Sequence, residues 1–190
     1  MRRTLLFLVL LLVFSGGEAR AHGGEEWIKV KKVYDGDTLE LAGDMKVRLI
    51  GIDAPELHSN DKLYHDVHRT HQDAKTILKM GKASYEVFKK LVGKQKVRLE
   101  YDETSRDKYG RTLAYVYVRL KEDRFDEIMH LPFKGRKAVE REYMLNREMI
   151  RYGWASAFRN FVYRYKEEFF ELEKQARDEG RGLWRSSRTL

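Results

Sequence analysis

The chain has 190 residues, 42% of them hydrophobic and 36% charged, with a formal net charge of +8 at pH 7 and no cysteine. That length suits one domain with a true hydrophobic core. The lack of cysteine excludes a disulfide scaffold, and the basic balance points to a polyanionic partner, either nucleic acid or an acidic membrane face.

Residues 1–21, MRRTLLFLVLLLVFSGGEARA, start with Arg2 and Arg3, run apolar from Leu5 to Phe14, and end on Ala19-Arg20-Ala21. That is the make-up of a removable secretory signal. Its apolar run falls short of the ~20 residues a membrane-spanning helix needs. The expectation is a secreted or periplasmic protein with no stable membrane insertion. Losing residues 1–21 removes three arginines and one glutamate and leaves +6. Residues 22–26 then form a short N-terminal tail.

Strand signals begin at Trp27. WIKVKKV (27–33) alternates apolar and basic residues, Asp35-Gly36 is a turn signal, and TLELA (38–42) answers it. Gly43-Asp44 makes a second turn into MKVRLIGI (45–52), completing a three-stranded meander. Residues 57–73 are polar and predict a loop with a helical turn or two. From Ala74 to Val92, Ile77, Met80, Ser84, Phe88 and Leu91 recur at helical spacing, with Gly81 as a candidate break. KVRLEY (96–101) and RTLAYVYVRL (111–120) read as the fourth and fifth strands. The charged stretch 121–138, with Pro132 and Gly135, predicts a hairpin or loop.

Two helices are expected next. One carries Leu145, Met149 and Tyr152 and ends at Gly153, and the other runs from about Val162 to Glu179. Trp184 is expected to fold back on the core. Five strands with a helix between the third and fourth, and helices at the end, fit an α+β, mainly β fold: a five-stranded OB-type barrel with about three helices. One domain over 27–185 is expected, with 186–190 as a tail, and a monomer is the expected state.

Three segments carry charge where a core is being built. YDGDT (34–38) supplies Asp37. VRLIGIDAPE (47–56) supplies Arg48 inside a strand, then Asp53 and Glu56 around a proline. RDKYGR (106–111) supplies Lys108, Tyr109 and Arg111 around a glycine turn. Unpaired buried charge is costly, so such residues are paired, exposed or held for chemistry. The meander lets Asp37 and Asp53 meet on one rim. Two carboxylates, a free backbone carbonyl at 53–55 and waters make a site for Ca2+ or Mg2+, and Ca2+ tolerates such irregular coordination better. Glu56 stands close enough to hold or deprotonate a water. Arginine forks match the equatorial oxygens of a phosphodiester under attack, where lysine supplies charge without the bidentate fit.

Read together, YDGDTLEL, VRLIGIDAPE, DKYGRTLAYVYV and the closing GRGLW resemble the staphylococcal nuclease (thermonuclease) family, from about Lys29 to Trp184. The resemblance implies a Ca2+-dependent endonuclease that cleaves the P–O5′ bond of DNA and RNA and leaves 3′-phosphates. It implies Asp37, Asp53 and the backbone carbonyl of Ala54 as metal ligands. It further implies Arg48, Glu56 and Arg111 as catalytic groups, with Lys108 and Tyr109 on a neighbouring phosphate. The chain departs from the family in having Ala54 where threonine is common, and Arg159 and Phe161 where a well-studied member has two tyrosines lining its nucleotide pocket. Segments 57–73 and 119–142 are also longer than in compact members.

The competing reading is a catalytically inactive OB-fold nucleic-acid-binding module, although such repeats typically lose the acid and arginine set that is complete here. His65, His68 and His71 could share a helical face, and they read as solvated histidines beside a polyanion groove rather than as a transition-metal site.

Overall fold

In the computed structural model the described residues are 26–132 and 138–185. The expected signal at 1–21 and tail at 186–190 lie outside them. Five strands close a barrel: β1 (Ile28–Val33), β2 (Thr38–Leu41), β3 (Met45–Leu49), β5 (Lys96–Glu100) and β6 (Thr112–Lys121). β1 pairs antiparallel with β2 and β5, β2 with β3, and β5 with β6, while β3 and β6 pair in parallel and close the ring. The α+β OB-type barrel is therefore as expected. β5 alternates between buried and more accessible positions, whereas β2 and the first half of β6 are buried on both faces. Val47, Leu49, Leu39, Leu41, Val97, Leu99, Ala114 and Val116 fill the interior.

The β2–β3 hairpin turns through Ala42, Gly43 and Asp44, between the paired Leu41 and Met45, with Gly43 and Asp44 at positive φ, +79° and +61°. The expected strand 45–52 is instead bent. Gly51 sits at φ +76°, and after it the short β4 (Ile52–Asp53) leaves the barrel to pair with β8 (Ser156–Ala157). A Cβ on Gly51 would meet the ring of Tyr163 at 2.5 Å, so the bend needs glycine both for its φ and for the close approach.

Five helices are described where about three were expected. α2 (Ala74–Val92) runs unbroken over the expected span, capped by Asp73, whose carboxylate accepts from Thr76 N–H at 3.0 Å. The two additional helices are α1 (Asp61–Thr70), within the expected polar loop, and α3 (Glu122–Ile128), within the expected hairpin. A strand does follow α3: β7 (Glu140–Met144) extends the sheet beyond β6. α4 (Leu145–Arg151) packs on the barrel, and α5 (Lys166–Asp178) starts later than its apolar pattern suggests, leaving Val162 exposed. Trp184, in the 3-10 turn Gly182–Trp184, does fold back: it packs on Gly153 and under the Arg177 guanidinium, 3.8 Å from the ring centroid.

Two polar devices, one of them buried, lock the closure. Asn146, fully buried at the start of α4, accepts from Val116 N–H at 2.9 Å and donates to the carbonyls of Ile50 (2.8 Å) and Ala114 (3.2 Å). It thereby satisfies backbone groups that the β3 bend strips from the ladder. On the other side, Asp102 accepts from the Tyr115 hydroxyl at 2.6 Å and from Arg164 N–H at 2.8 Å, tying the segment before α5 to β6.

Candidate active site

Asp37 enters at the start of β2 and is buried, only 5% exposed. Its backbone carbonyl accepts from Leu49 N–H at 2.9 Å, its Oδ1 from the Thr38 hydroxyl at 3.0 Å, and its Oδ2 from Ala54 N–H at 2.7 Å. Asp35 joins the corner by accepting from Asp37 N–H at 2.9 Å. Burial pushes the Asp37 carboxyl up to about 7; Arg48 opposes this and the adjacent Asp35 adds to it.

Arg48 lies on β3 opposite Thr38 of β2 and Leu113 of β6. Its Nη1 is 2.7 Å from Asp37 Oδ2, and its Nη2 is 3.4 Å from Asp53 Oδ1. The Nη1 contact is a charge contact without hydrogen-bond geometry, so a buried guanidinium donor is left without an acceptor among the described residues. β4 then carries Asp53, and the chain turns through Ala54 and Pro55 to Glu56. Glu56 is held from two sides, by Lys62 Nζ on Oε1 at 2.6 Å and Asn60 Nδ2 on Oε2 at 2.5 Å. Gly81 of α2 backs this corner, because any Cβ there would strike the Glu56 carbonyl.

Arg111 stands just before β6, one pleat from Leu113, the parallel partner of Arg48. Asp107 builds the turn that presents it. One carboxylate oxygen accepts from the N–H groups of Tyr109 and Arg111, both at 2.9 Å, and the other from Arg111 Nε at 2.6 Å. The two Nη nitrogens of Arg111 make no hydrogen bond among the described residues. Tyr109 is 72% exposed, with Lys108 and Arg111 flanking its ring. Asp37, Arg48, Asp53, Ala54, Glu56, Lys108, Tyr109 and Arg111 all line one open cleft of about 490 Å³.

Asp53, Asp37 and the Ala54 carbonyl are all hard oxygen donors, suited to Ca2+ or Mg2+. Among the described residues no three His, Cys, Asp or Glu side chains form a ready-made metal cage, so any such ion would lean on the carbonyl and on water. The donor set fits a cation all the same. Lys62 already places its ammonium 3.1 Å from Asp53 Oδ1 and 3.4 Å from the Ala54 carbonyl.

Lys62 and Asp35 escaped the sequence reading. Asp35 had a signal in its spacing from Asp37, whereas Lys62 sat in a stretch with no apolar pattern. Of the two positions where the family resemblance implied tyrosines, Phe161 lines the cleft together with Phe158. Arg159 is instead drawn to the buried Glu173 of α5 at 2.9 Å. His65, His68 and His71 are exposed, and His71 caps α1 in a left-handed conformation. A wider cleft of about 1000 Å³, lined by Lys79, Arg151, Trp154 and Trp184, has Glu179 as its one carboxylate among the described residues and none of the paired acids.

Comparison with known proteins agrees with this architecture. Residues 46–186 match the model of the family described as staphylococcal nuclease homologue. The chain is 30% identical over 168 residues to the thermonuclease of Staphylococcus hyicus, covering 86% of this chain and 79% of that protein. It is 42% identical over 98 residues to the thermonuclease of Staphylococcus intermedius, half of each chain. An uncharacterised protein of Methanocaldococcus jannaschii is 30% identical over 82% of this chain and 70% of its own length. With its barrel, its cleft and this extent of similarity, the chain belongs to the staphylococcal nuclease homologue family.

Proposed function

We propose that this protein is a secreted or periplasmic Ca2+-dependent endonuclease that hydrolyses phosphodiester bonds of DNA and RNA and leaves 3′-phosphates. Family membership supports a nuclease. The observation that carries the finer reading is the meeting, in one cleft, of the Asp37/Asp53 pair with two arginines drawn from different strands. No helix among the described residues is long and apolar enough to cross a membrane. Export follows from residues 1–21, whose removal leaves a single domain over 27–185, acting as a monomer.

Asp37, Asp53 and the Ala54 carbonyl would hold Ca2+, which supplies positive charge against the phosphate oxygens. Arg48 and Arg111 grip the scissile phosphate. Their forks meet the charge that gathers on its equatorial oxygens during in-line attack. Arg48 lines the cleft between Asp37 and Asp53, and Arg111 brings to it two Nη nitrogens that make no hydrogen bond among the described residues. Glu56 orients the attacking water and takes its proton. As the oxygen–phosphorus bond forms, the P–O5′ bond breaks, and the leaving 5′-oxygen takes a proton from solvent water in the open cleft and departs as a hydroxyl. Lys108 and Tyr109 hold a neighbouring phosphate, and Phe158 and Phe161 offer apolar faces to a base or sugar.

The test is incubation of the purified protein with plasmid DNA and single-stranded RNA, in Ca2+ or in chelator. Cleavage in Ca2+ alone is expected, with ends that a polymerase extends only after phosphatase treatment. It should be lost in Arg48→Ala, Glu56→Gln and Arg111→Ala. Salt-sensitive binding with no product would make the protein an inactive binding module instead.

A further inference from the structure

Two of the protein's own cations face the acidic corner: Arg48, on the Asp37 side, and Lys62, on the side of Asp53, Ala54 and Glu56. Lys62 is in the first turn of α1, and that turn is anchored: Asn60 caps the helix by accepting from Leu63 N–H at 2.9 Å while also donating to Glu56. From there the Lys62 ammonium reaches Glu56 Oε1 at 2.6 Å, Asp53 Oδ1 at 3.1 Å, the Ala54 carbonyl at 3.4 Å and Asp66 Oδ2 at 3.7 Å. The Asp53 carboxylate and the Ala54 carbonyl belong to the proposed metal donor set. An ammonium and a hard divalent ion seek the same surroundings of oxygen and negative charge, and their mutual repulsion keeps them from sharing one.

We propose that Lys62 is a built-in competitor for the divalent cation, occupying its oxygens until the ion arrives and withdrawing when it binds. The inference rests on the reading of Asp37, Asp53 and Ala54 as the metal ligands. Lys62 can withdraw without moving the helix, because its flexible stem is 41% exposed along the cleft. Two things follow. The measured affinity for the ion is lowered by the fraction of molecules in which Lys62 has moved aside. Glu56 also loses its lysine partner in the same event, so the carboxylate that handles water is released as the ion binds.

The test is calorimetric titration of metal-stripped protein with CaCl2, comparing wild type with Lys62→Gln and Lys62→Met. The melting curve of each is recorded first to establish folding. Both variants should bind Ca2+ at least tenfold more tightly, a gain of about 1.4 kcal/mol. Lys108→Gln, which removes a cation from the same cleft but from none of these oxygens, should change affinity less than about threefold on screening grounds. A second readout is acylation of Lys62 by an N-hydroxysuccinimide ester, followed by mass spectrometry; Ca2+ should speed it. If wild type binds Ca2+ and the variants bind no more tightly, or labelling of Lys62 ignores Ca2+, the competitor role falls while the metal reading stands. An equal gain in Lys108→Gln would also overturn it, reducing the effect to general repulsion. If none of the proteins takes up Ca2+, the metal reading falls and takes the competitor with it.

Discussion

At the scale of single residues, Arg48 shows how a charge can be tolerated inside a strand. It is flanked by Asp37 and Asp53, so its burial is paired, yet one nitrogen keeps hydrogens that no acceptor takes up among the described residues. Lysine would preserve the pairing but not the planar fork. Arg48→Lys should therefore fold with an unchanged circular dichroism spectrum and lose about 10²- to 10³-fold in kcat on DNA, the scale of losing one oriented donor to a charged transition state. The acids and arginines were legible in the sequence because the core strands around them made their charge conspicuous. Lys62 was not legible, since a lysine in a polar stretch carries no mark until folding sets it beside Asp53 and Glu56.

At the scale of elements, what could be read was what had a period. β1 alternates in sequence, β2 and β3 are punctuated by Gly43-Asp44, and α2 shows a regular apolar stripe, so their bounds were foreseen almost to the residue except at the end of β3, which stops at Leu49 short of the bend. α1 buries Leu63 and the charged Asp66, and α3 buries only Phe125 and Ile128, so neither shows a stripe long enough to see. Gly81 was misread for another physical reason. Glycine weakens an isolated helix, but here it lets α2 lie against the backbone of Glu56. On intrinsic propensity Gly81→Ala should stabilise by about 1 kcal/mol. The structure reverses the sign. Urea unfolding should show a loss of about 1–3 kcal/mol, as expected for overpacking, and cleavage should slow because Glu56 is displaced.

At the scale of the molecule, the barrel is held shut by polar contacts between segments far apart in sequence, and Asp102 makes a pH signature of one of them. Partial burial tends to raise its pKa, but the Tyr115 hydroxyl and the N–H groups of Arg164 and Glu103 outweigh this and hold the carboxyl below its usual 3.8. A depressed carboxylate stabilises the fold above its unfolded pKa, and that contribution disappears as pH falls through the folded value. Asp102→Asn should then lose about 1 kcal/mol at pH 7, a modest figure because the group is partly solvated. Its deficit against wild type, measured by chemical unfolding across pH, should shrink below about pH 3.8. The β4–β8 ribbon, which pairs Asp53 with Ser156, has a consequence for the order of assembly. The acidic strand is braced by residues synthesised more than a hundred positions later, and the wall of Phe158 and Phe161 arrives with them. A nascent chain that has delivered both carboxylates and both arginines therefore still lacks a finished blade, and it acquires one only when its last third docks.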